Sequence, residues 1–188
     1  MKFRQGKILD KFCIKRDGRK TDVVFRYPRM GDAKEALRHI NQLVEENALI
    51  LAVEKQTLIN EKEWLKDKIE KMKKRELILI VIEADEKYCG NAQMIRGRYG
   101  SGHVGSIAIG LSKDARGIGI GTRLINFLMD ISKKEFGIDV VRIEYLKGND
   151  AAKHLYEKLG FIEAGTIPRM RKRGNAYHDE VFMYKVLA

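Results

Sequence analysis

Apolar and polar residues alternate over residues 7–15 and again over 21–27, and the Arg16-Asp17-Gly18-Arg19 stretch between them holds the Asp-Gly pair that favours a tight reversal. The pattern predicts an N-terminal β-hairpin. The period then becomes helical. Asp32 and Glu35 stand at capping-box spacing ahead of Ala36, Leu37, Ile40, Leu43 and Val44, which share one face. Asn60 and Glu63 repeat that spacing before a stripe of Leu65, Ile69 and Met72, with Lys66, Lys68, Lys71, Lys73 and Lys74 on the remainder. Glu61, Glu63, Asp67 and Glu70 interleave with those lysines, so the run reads as a solvated helix face rather than a nucleic-acid groove.

From Glu76 the pattern is that of strands, at residues 77–82, 90–96 and 103–109, separated by glycine or polar turns. A glycine-rich turn over 116–121 leads into a helix with Leu124, Leu128 and Ile131 on one stripe. Residues 140–146 form a further strand. Asn149 or Asp150 then caps a short helix carrying Ala152, Leu155, Tyr156 and Leu159, which Gly160 ends. Two last strands, about 161–170 and 177–186, flank a basic loop at Arg171, Lys172, Arg173 and Gly174. The order ββα(α)βββαβαββ predicts an α/β protein in which one sheet carries helices on its faces.

A length of 188 residues suits one domain, with residues 1–20 a strand extension added to it. Charged residues at 34%, the hydrophobic set at 44% and only two prolines exclude a disordered, collagen-like or mucin-like chain. No run approaches the ~18 to 20 apolar residues of a helical membrane span, and the basic N-terminus lacks the ~7 to 15-residue apolar region of a secretory signal, so a cytoplasmic protein is expected. Cys13 and Cys89 match neither a disulfide framework nor a zinc spacing, and no metal is expected. The net charge of +11 favours anions, among them nucleotides, nucleic acids and acidic proteins.

Glycines 117, 119 and 121 lie where a strand passes into a helix, a place where free backbone N–H groups and the positive end of the helix dipole receive phosphate. The dinucleotide fingerprint fails, because Thr122 stands where its last glycine belongs, and no Gly-Lys-Ser/Thr makes a P-loop. A second signal follows about 30 residues on. Taken together, Arg116-x-x-Gly119-x-Gly121 and Asn149-x-x-Ala152-x-x-Leu155-Tyr156-Glu157-Lys158-x-Gly160-Phe161 resemble the two signature motifs of the GNAT superfamily of acetyl-CoA-dependent N-acetyltransferases. The ending, from Gly165 through Gly174, Tyr177, Asp179 and Met183, looks like the branch acting on amino acids, polyamines and protein amines. The resemblance implies a mixed, mostly antiparallel central sheet with helices on both faces.

It also implies a site. Phosphates of acetyl-CoA would rest on Arg116, Gly117, Ile118, Gly119, Ile120, Gly121 and Thr122. The pantetheine arm would run along the strand edge from Ile107 to Leu111, with Ile109 and Leu111 as main-chain partners and Asn149 opposite them. Tyr156 would give a proton to the departing sulfur, a phenol near ~10 staying protonated at neutral pH; its alternative is a core aromatic beside Ala152 and Leu159. Backbone N–H groups at a strand bulge near Ile109 would receive the oxyanion.

A base is harder to find, since Ser106 falls where many relatives have a glutamate. A water relay to His103 is the first expectation, and to Glu83 or Glu144 the next; His154 and His178 read as surface residues, and His39 lies far away in sequence. Lacking a strong base, an α-amine near pKa ~8 costs only about 1.4 kcal/mol to neutralise at pH 7, against about 4.6 for a lysine. The expected activity is acetyl transfer from acetyl-CoA to a primary amine, small molecule or protein, by direct attack in a ternary complex. The rival readings are a CoA-thioester-binding module without turnover and a nucleic-acid-binding module using Arg169, Arg171, Lys172, Arg173 and Tyr177. That basic stretch suits an acidic substrate or a homodimer seam equally well, and neither a membrane nor a specific nucleic acid is expected as a partner.

Overall fold

The computed structural model describes residues 3–16, 18–48 and 54–187. Strands β1 (Ile8–Arg16), β2 (Arg19–Arg26), β3 (Leu77–Ala84), β4 (Lys87–Arg96), β5 (Val104–Leu111), β6 (Val140–Leu146), β7 (Ile162–Arg173) and β8 (Ala176–Val186) form one sheet in the order β1-β2-β3-β4-β5-β6-β8-β7. Among the described strands only β5 and β6 are parallel; each other neighbouring pair is antiparallel. The helices are α1 (Ala33–Glu45), α2 (Leu58–Lys73), α3 (Ile120–Phe136) and α4 (Asp150–Lys158). The element order predicts one sheet carrying helices, and the resemblance implies its mixed, mostly antiparallel form; both are found.

Residue parity shows which helix covers which face. Phe25 of β2 meets Phe12 of β1 and Phe127 of α3, with ring centroids 5.1 and 5.8 Å apart, and Tyr145 of β6 meets Tyr156 of α4 at 5.9 Å. On the opposite face, a Cβ added to Gly110 of β5 would stand 3.3 Å from Leu43 Cδ1 of α1. So α3 and α4 cover one side, and α1 with its neighbour α2 covers the other. Residues 77–82 are buried throughout, as a continuous apolar run must be when it sits between two helical layers. The predicted stripe of Leu65, Ile69 and Met72 is buried, while Lys71 and Lys73 pair outward with Asp67 and Glu70, which fits a solvated face.

Several local expectations change. Thr57, not Asn60, caps α2, its hydroxyl accepting from Asn60 N at 3.2 Å. Asp32 sits at the start of α1, but its carboxylate turns inward instead of capping. It receives Arg26 Nη1 and Nη2 at 2.8 Å each, Arg29 N at 2.9 Å and Arg29 Nε at 3.2 Å, while Arg26 also donates to Glu83 Oε1 of β3. β7 and β8 extend through the predicted basic loop, leaving a short turn at Gly174. The β4–β5 ladder runs in register from Gly90↔Leu111 to Arg96↔Gly105, so the bulge expected near Ile109 is not there. Asp17, part of the first predicted reversal, lies outside the described residues; Arg16 pairs with Arg19 around it, and Gly18 takes the positive φ of 74° that the turn needs.

Burial alone would raise the Asp32 carboxyl, but Arg26 and Arg29 hold it below the ordinary carboxylate range. Arg26 therefore locks the β2–α1 connection by a bidentate pair inside the protein. Arg26→Met leaves two carboxylates facing that space without their cation, and is expected to cost about 3–5 kcal/mol, read as a lowered urea midpoint. An unchanged midpoint would mean that the cluster does not hold the connection.

Candidate active site

The parallel pairing of β5 with β6 lasts only from Val104↔Val140 to Ile107↔Ile143. Beyond it β5 follows β4 and β6 follows β8, so a gap opens between residues 108–111 and 144–146. Val104 O accepts from Gly97 N on the β4 side and Ser112 N donates to Cys89 O on that side, whereas His103 O accepts from Asp139 N and Val140 N on the β6 side. Alternation along a strand then directs the peptide groups of Ile109 and Leu111 into the gap. An extended ligand laid there meets the N–H and C=O of Ile109 and the N–H of Leu111, whereas Leu111 O already accepts from Arg116 Nε.

At the top of β5 the chain turns through Gly117 and Gly119, at φ 73° and 96°, conformations that disfavour any residue with a Cβ. Gly119 is the N-cap of α3 and brings no side chain to its first amides, so the N–H groups of Ile120, Gly121 and Thr122 are left for an external acceptor. Gly121 serves packing, because a Cβ there would lie 3.2 Å from Leu155 Cδ2 of α4. Arg116 is exposed but committed to partners. Its Nε donates to Leu111 O at 2.8 Å and its Nη2 meets Glu46 Oε2 at 3.0 Å, tying the turn to the strand edge and to the end of α1. Asn149 caps α4, its side chain accepting from Ala152 N at 3.1 Å.

Two titratable side chains flank the gap from opposite faces. Tyr156 is 5% exposed among Tyr145 and Phe161 on the α3–α4 face. Its hydroxyl is held well above an ordinary phenol by burial, then by the charge of Glu144, then by Tyr145. Glu144, one position along β6 from Tyr145, faces the α1–α2 side. Its carboxyl is raised by burial, which Arg142 opposes, Glu180 reinforces and Arg171 opposes. Among the described residues Glu144 Oε2 is buried without a hydrogen-bond partner, as is Gln93 Oε1, and Gln93 pairs with Ala108, which lies across the gap from Glu144 on the same face. Buried acceptors without donors are uncommon in native proteins, and the one on Glu144 at the edge of the gap suits a ligand that brings N–H groups.

The acetyltransferase (GNAT) family model matches residues 29–161, which include the β5–β6 gap, the glycine turn and α4. The chain belongs to this family. Among solved structures it is similar to ribosomal-protein-alanine N-acetyltransferase from Brucella melitensis, at 25% identity and TM-score 0.76 over 87% of this chain and 99% of that one. Two others share the fold. Ribosomal-protein-S5-alanine acetyltransferase from Vibrio fischeri has 18% identity and TM-score 0.76 over 93% and 96% of the two chains. The yncA protein of Salmonella typhimurium, solved with its cofactor acetyl-CoA, has 20% identity and TM-score 0.75 over 88% and 94%. No curated protein matches the chain.

Within this GNAT acetyltransferase the expected residues divide. Ile109, Leu111, the turn from Arg116 to Thr122, Asn149 and Tyr156 all lie at the open end of β5 and β6. His103 does not. It is exposed at the opposite end of β5, about 20 Å from Ile109 at ~3.3 Å per residue. Glu83 is engaged by Arg26. Of the carboxylates considered, Glu144 alone borders the gap beside Tyr156, while Ser106 lies one step below on the same face, opposite Arg142. No described helix is long and apolar enough to cross a membrane.

His39 enters from α1 although it precedes the motifs by about 70 residues in sequence. The ring is 4% exposed, 5.6 Å from Tyr88, and its Nε2 lies 3.5 Å from where a Cβ on Gly110 would stand. Only the 3.6-residue period linking it to Ala36 and Leu43 could have placed it inward. Its pKa is lowered to about 4, chiefly by burial, with the Gly110 backbone acting against this and Arg116 adding to it. The unfolded chain binds this proton near ~6.5, so stability is complete above that value and falls as pH drops toward 4, by about 3 kcal/mol at most. His39→Leu should flatten the urea midpoint between pH 6.5 and 4 relative to the wild type; parallel declines in both proteins would clear His39 of that role.

Proposed function

We propose that the protein transfers the acetyl group of acetyl-CoA to a primary amine, by direct attack with both substrates bound, and that the amine is an α-amine of a protein. The sheet from β1 to β8 is taken as a single acetyltransferase unit in which β1 is an added edge strand. The observation that carries the reading is the placement of Tyr156 and Glu144 on opposite faces of one gap. Acetyl-CoA, when bound, supplies the acyl carbon and a sulfur leaving group. The amides of Ile120, Gly121 and Thr122 hold its phosphates at the α3 N-terminus, where the helix dipole is favourable. Ile109 and Leu111 bind the pantetheine arm through the main chain, and Asn149 closes the gap from the β6 side.

On the α1–α2 face the incoming amine meets Glu144, with Gln93 as a second acceptor. A carboxylate raised toward neutrality by burial accepts a proton more readily than an exposed one, so Glu144 takes the ammonium proton, directly or through one water. Tyr156 keeps its own proton over the whole physiological range and holds it at the sulfur side. The α-amine is favoured because it needs about 3 kcal/mol less deprotonation free energy than a lysine at pH 7. The two neighbours named as acting on an alanine of a ribosomal protein point the same way.

Steady-state assays with acetyl-CoA and peptides bearing a free α-amine test this. Tyr156→Phe should lower kcat by about 10²-fold or more while changing acetyl-CoA affinity less than threefold, because proton transfer and not binding is removed. Glu144→Gln should lower kcat/KM comparably and abolish the acidic limb of its pH profile, which lies above the ordinary carboxylate range in the wild type. Equal turnover in wild type and Tyr156→Phe removes the phenol from the reaction.

A further inference from the structure

Resting on the assignment of Glu144 as base, we infer that Arg171 and Glu180 are positioning residues that act through it, an ion pair beside Glu144 whose fixed charges set the pH at which the site begins to work. Glu144 and Glu180 share the α1–α2 face. Phe182 lies directly opposite Glu144, and Glu180 directly opposite Leu146. The two carboxylates are therefore diagonal neighbours across β6 and β8, roughly 7–8 Å apart at the backbone. Glu180 is 0% exposed, and Arg171 of β7 donates to both its oxygens, Nε to Oε2 at 2.9 Å and Nη2 to Oε1 at 3.0 Å. Such a fork suits an ionised carboxylate. Glu144 takes no part in it, and its Oε2 is buried with no hydrogen-bond partner among the described residues.

Stability alone does not account for this pair, because apolar residues of similar volume often hold such a position as well or better. The pair is also lopsided. The Arg171 side chain is 37% exposed and that of Glu180 fully buried, so water screens the cation more than the anion and a net negative field reaches Glu144. Burial is the largest influence on the Glu144 carboxyl and raises it; of the charges, Arg142 opposes this, Glu180 reinforces it and Arg171 opposes it, in that order. Other groups around Glu144 are neutral or engaged. Gln93 and Ser106 carry no charge, and His39 of α1 is deprotonated above about pH 4. Glu46 of α1 is bonded to Arg116, Arg173 of β7 donates to Ala48 O, and Tyr156 of α4 keeps its proton. His178 stands opposite Arg171, two positions farther along β8 from Glu144 than Glu180 is. A base kept basic by a buried anion takes an ammonium proton more readily at neutral pH. Arg171 makes this possible, since a buried carboxylate without a cation is driven to neutralise itself.

The acidic limb of kcat/KM tests the pair, measured with acetyl-CoA and one α-amine peptide whose own titration is common to all variants. Glu180→Gln removes the anion and leaves Arg171, so the limb should move to lower pH by about one unit, the size expected of one charge at this distance in a partly screened interior. Arg171→Gln/Glu180→Gln leaves no charge on either residue, and its limb should fall between those of wild type and Glu180→Gln. Acetyl-CoA in the assay favours the folded state. If Glu180→Gln still melts early, the double variant decides alone, with a limb about half a unit below wild type. A limb unmoved or moved to higher pH in either variant overturns the inference. So does a double variant displaced as far as the single one, because shape and not charge would then be responsible. A wild-type limb that Glu144→Gln leaves in place instead removes Glu144 as base, the reading on which the pair's role rests.

Discussion

Everything at the proposed site depends on how briefly β5 and β6 stay together. Two parallel strands joined by α3 must pair somewhere for the sheet to be continuous, and they do so over four residue pairs beginning at Val104 and Val140. Each then has a stronger claim elsewhere: β5 is held in register by β4 as far as Leu111, and β6 by β8 as far as Leu146. The cost is a stretch of strand edge without a paired strand among the described residues. Ordinarily that would invite unwanted pairing, but here it is flanked by helices on both sides and open only at one end. The gap is thus a consequence of topology, and the glycine turn and α4 add specificity to an opening the sheet already provides.

Because the sheet is continuous below the gap, its two faces stay chemically distinct at the gap. Ile107, Ile143 and Tyr145 face α3 and α4 with apolar neighbours, whereas Gln93, Ser106, Arg142 and Glu144 share the α1–α2 face. Glu180, fully buried, belongs to that polar face too and is held by Arg171 at 2.9 and 3.0 Å. Arg173 extends the same hairpin to Ala48 O beyond α1, so β7–β8 leans over the α1–α2 face. The Arg26–Asp32–Glu83 cluster fixes the start of α1 at the other edge. An apolar, amide-lined side and a charged, partly covered side, the ones proposed for thioester and amine, follow from strand parity.

What could be read from the sequence was local. The glycine turn, the Asn149 cap, Tyr156 and the order of elements all rest on residues close together in the chain, and the structure places them at one end of the sheet. The features that escaped reading are those made by distant residues. Asp32 has the spacing of a capping residue, but a buried arginine six positions earlier outcompetes the helix N-terminus for its carboxylate. His103 is suitable by sequence because it begins the right strand; the gap opens at that strand's other end, and the hydropathy pattern does not say which end opens. Glu144 carries no local mark of its partnership with Tyr156, since a strand and the following helix do not reveal from sequence how closely they fold together. His39 shows only its helical phase.

Glu144 and Tyr156 illustrate why the two protonation states can coexist at neutral pH. Burial opposes ionisation of both, yet their starting points differ by more than five units, so the same environment leaves the phenol fully protonated and brings the carboxyl only part of the way up. The carboxylate's charge further raises the phenol, which means that deprotonation of one group protects the proton of the other. In the proposed reaction an amine bound at Glu144 as its cation offsets that charge, and once its proton has moved to the carboxylate the charge is gone. In both states the phenol is easier to ionise than it is beside the free carboxylate, which suits a proton donor on the sulfur side. Coupling of this kind needs the two groups within one opening but on separate faces, the arrangement that the short β5–β6 ladder produces.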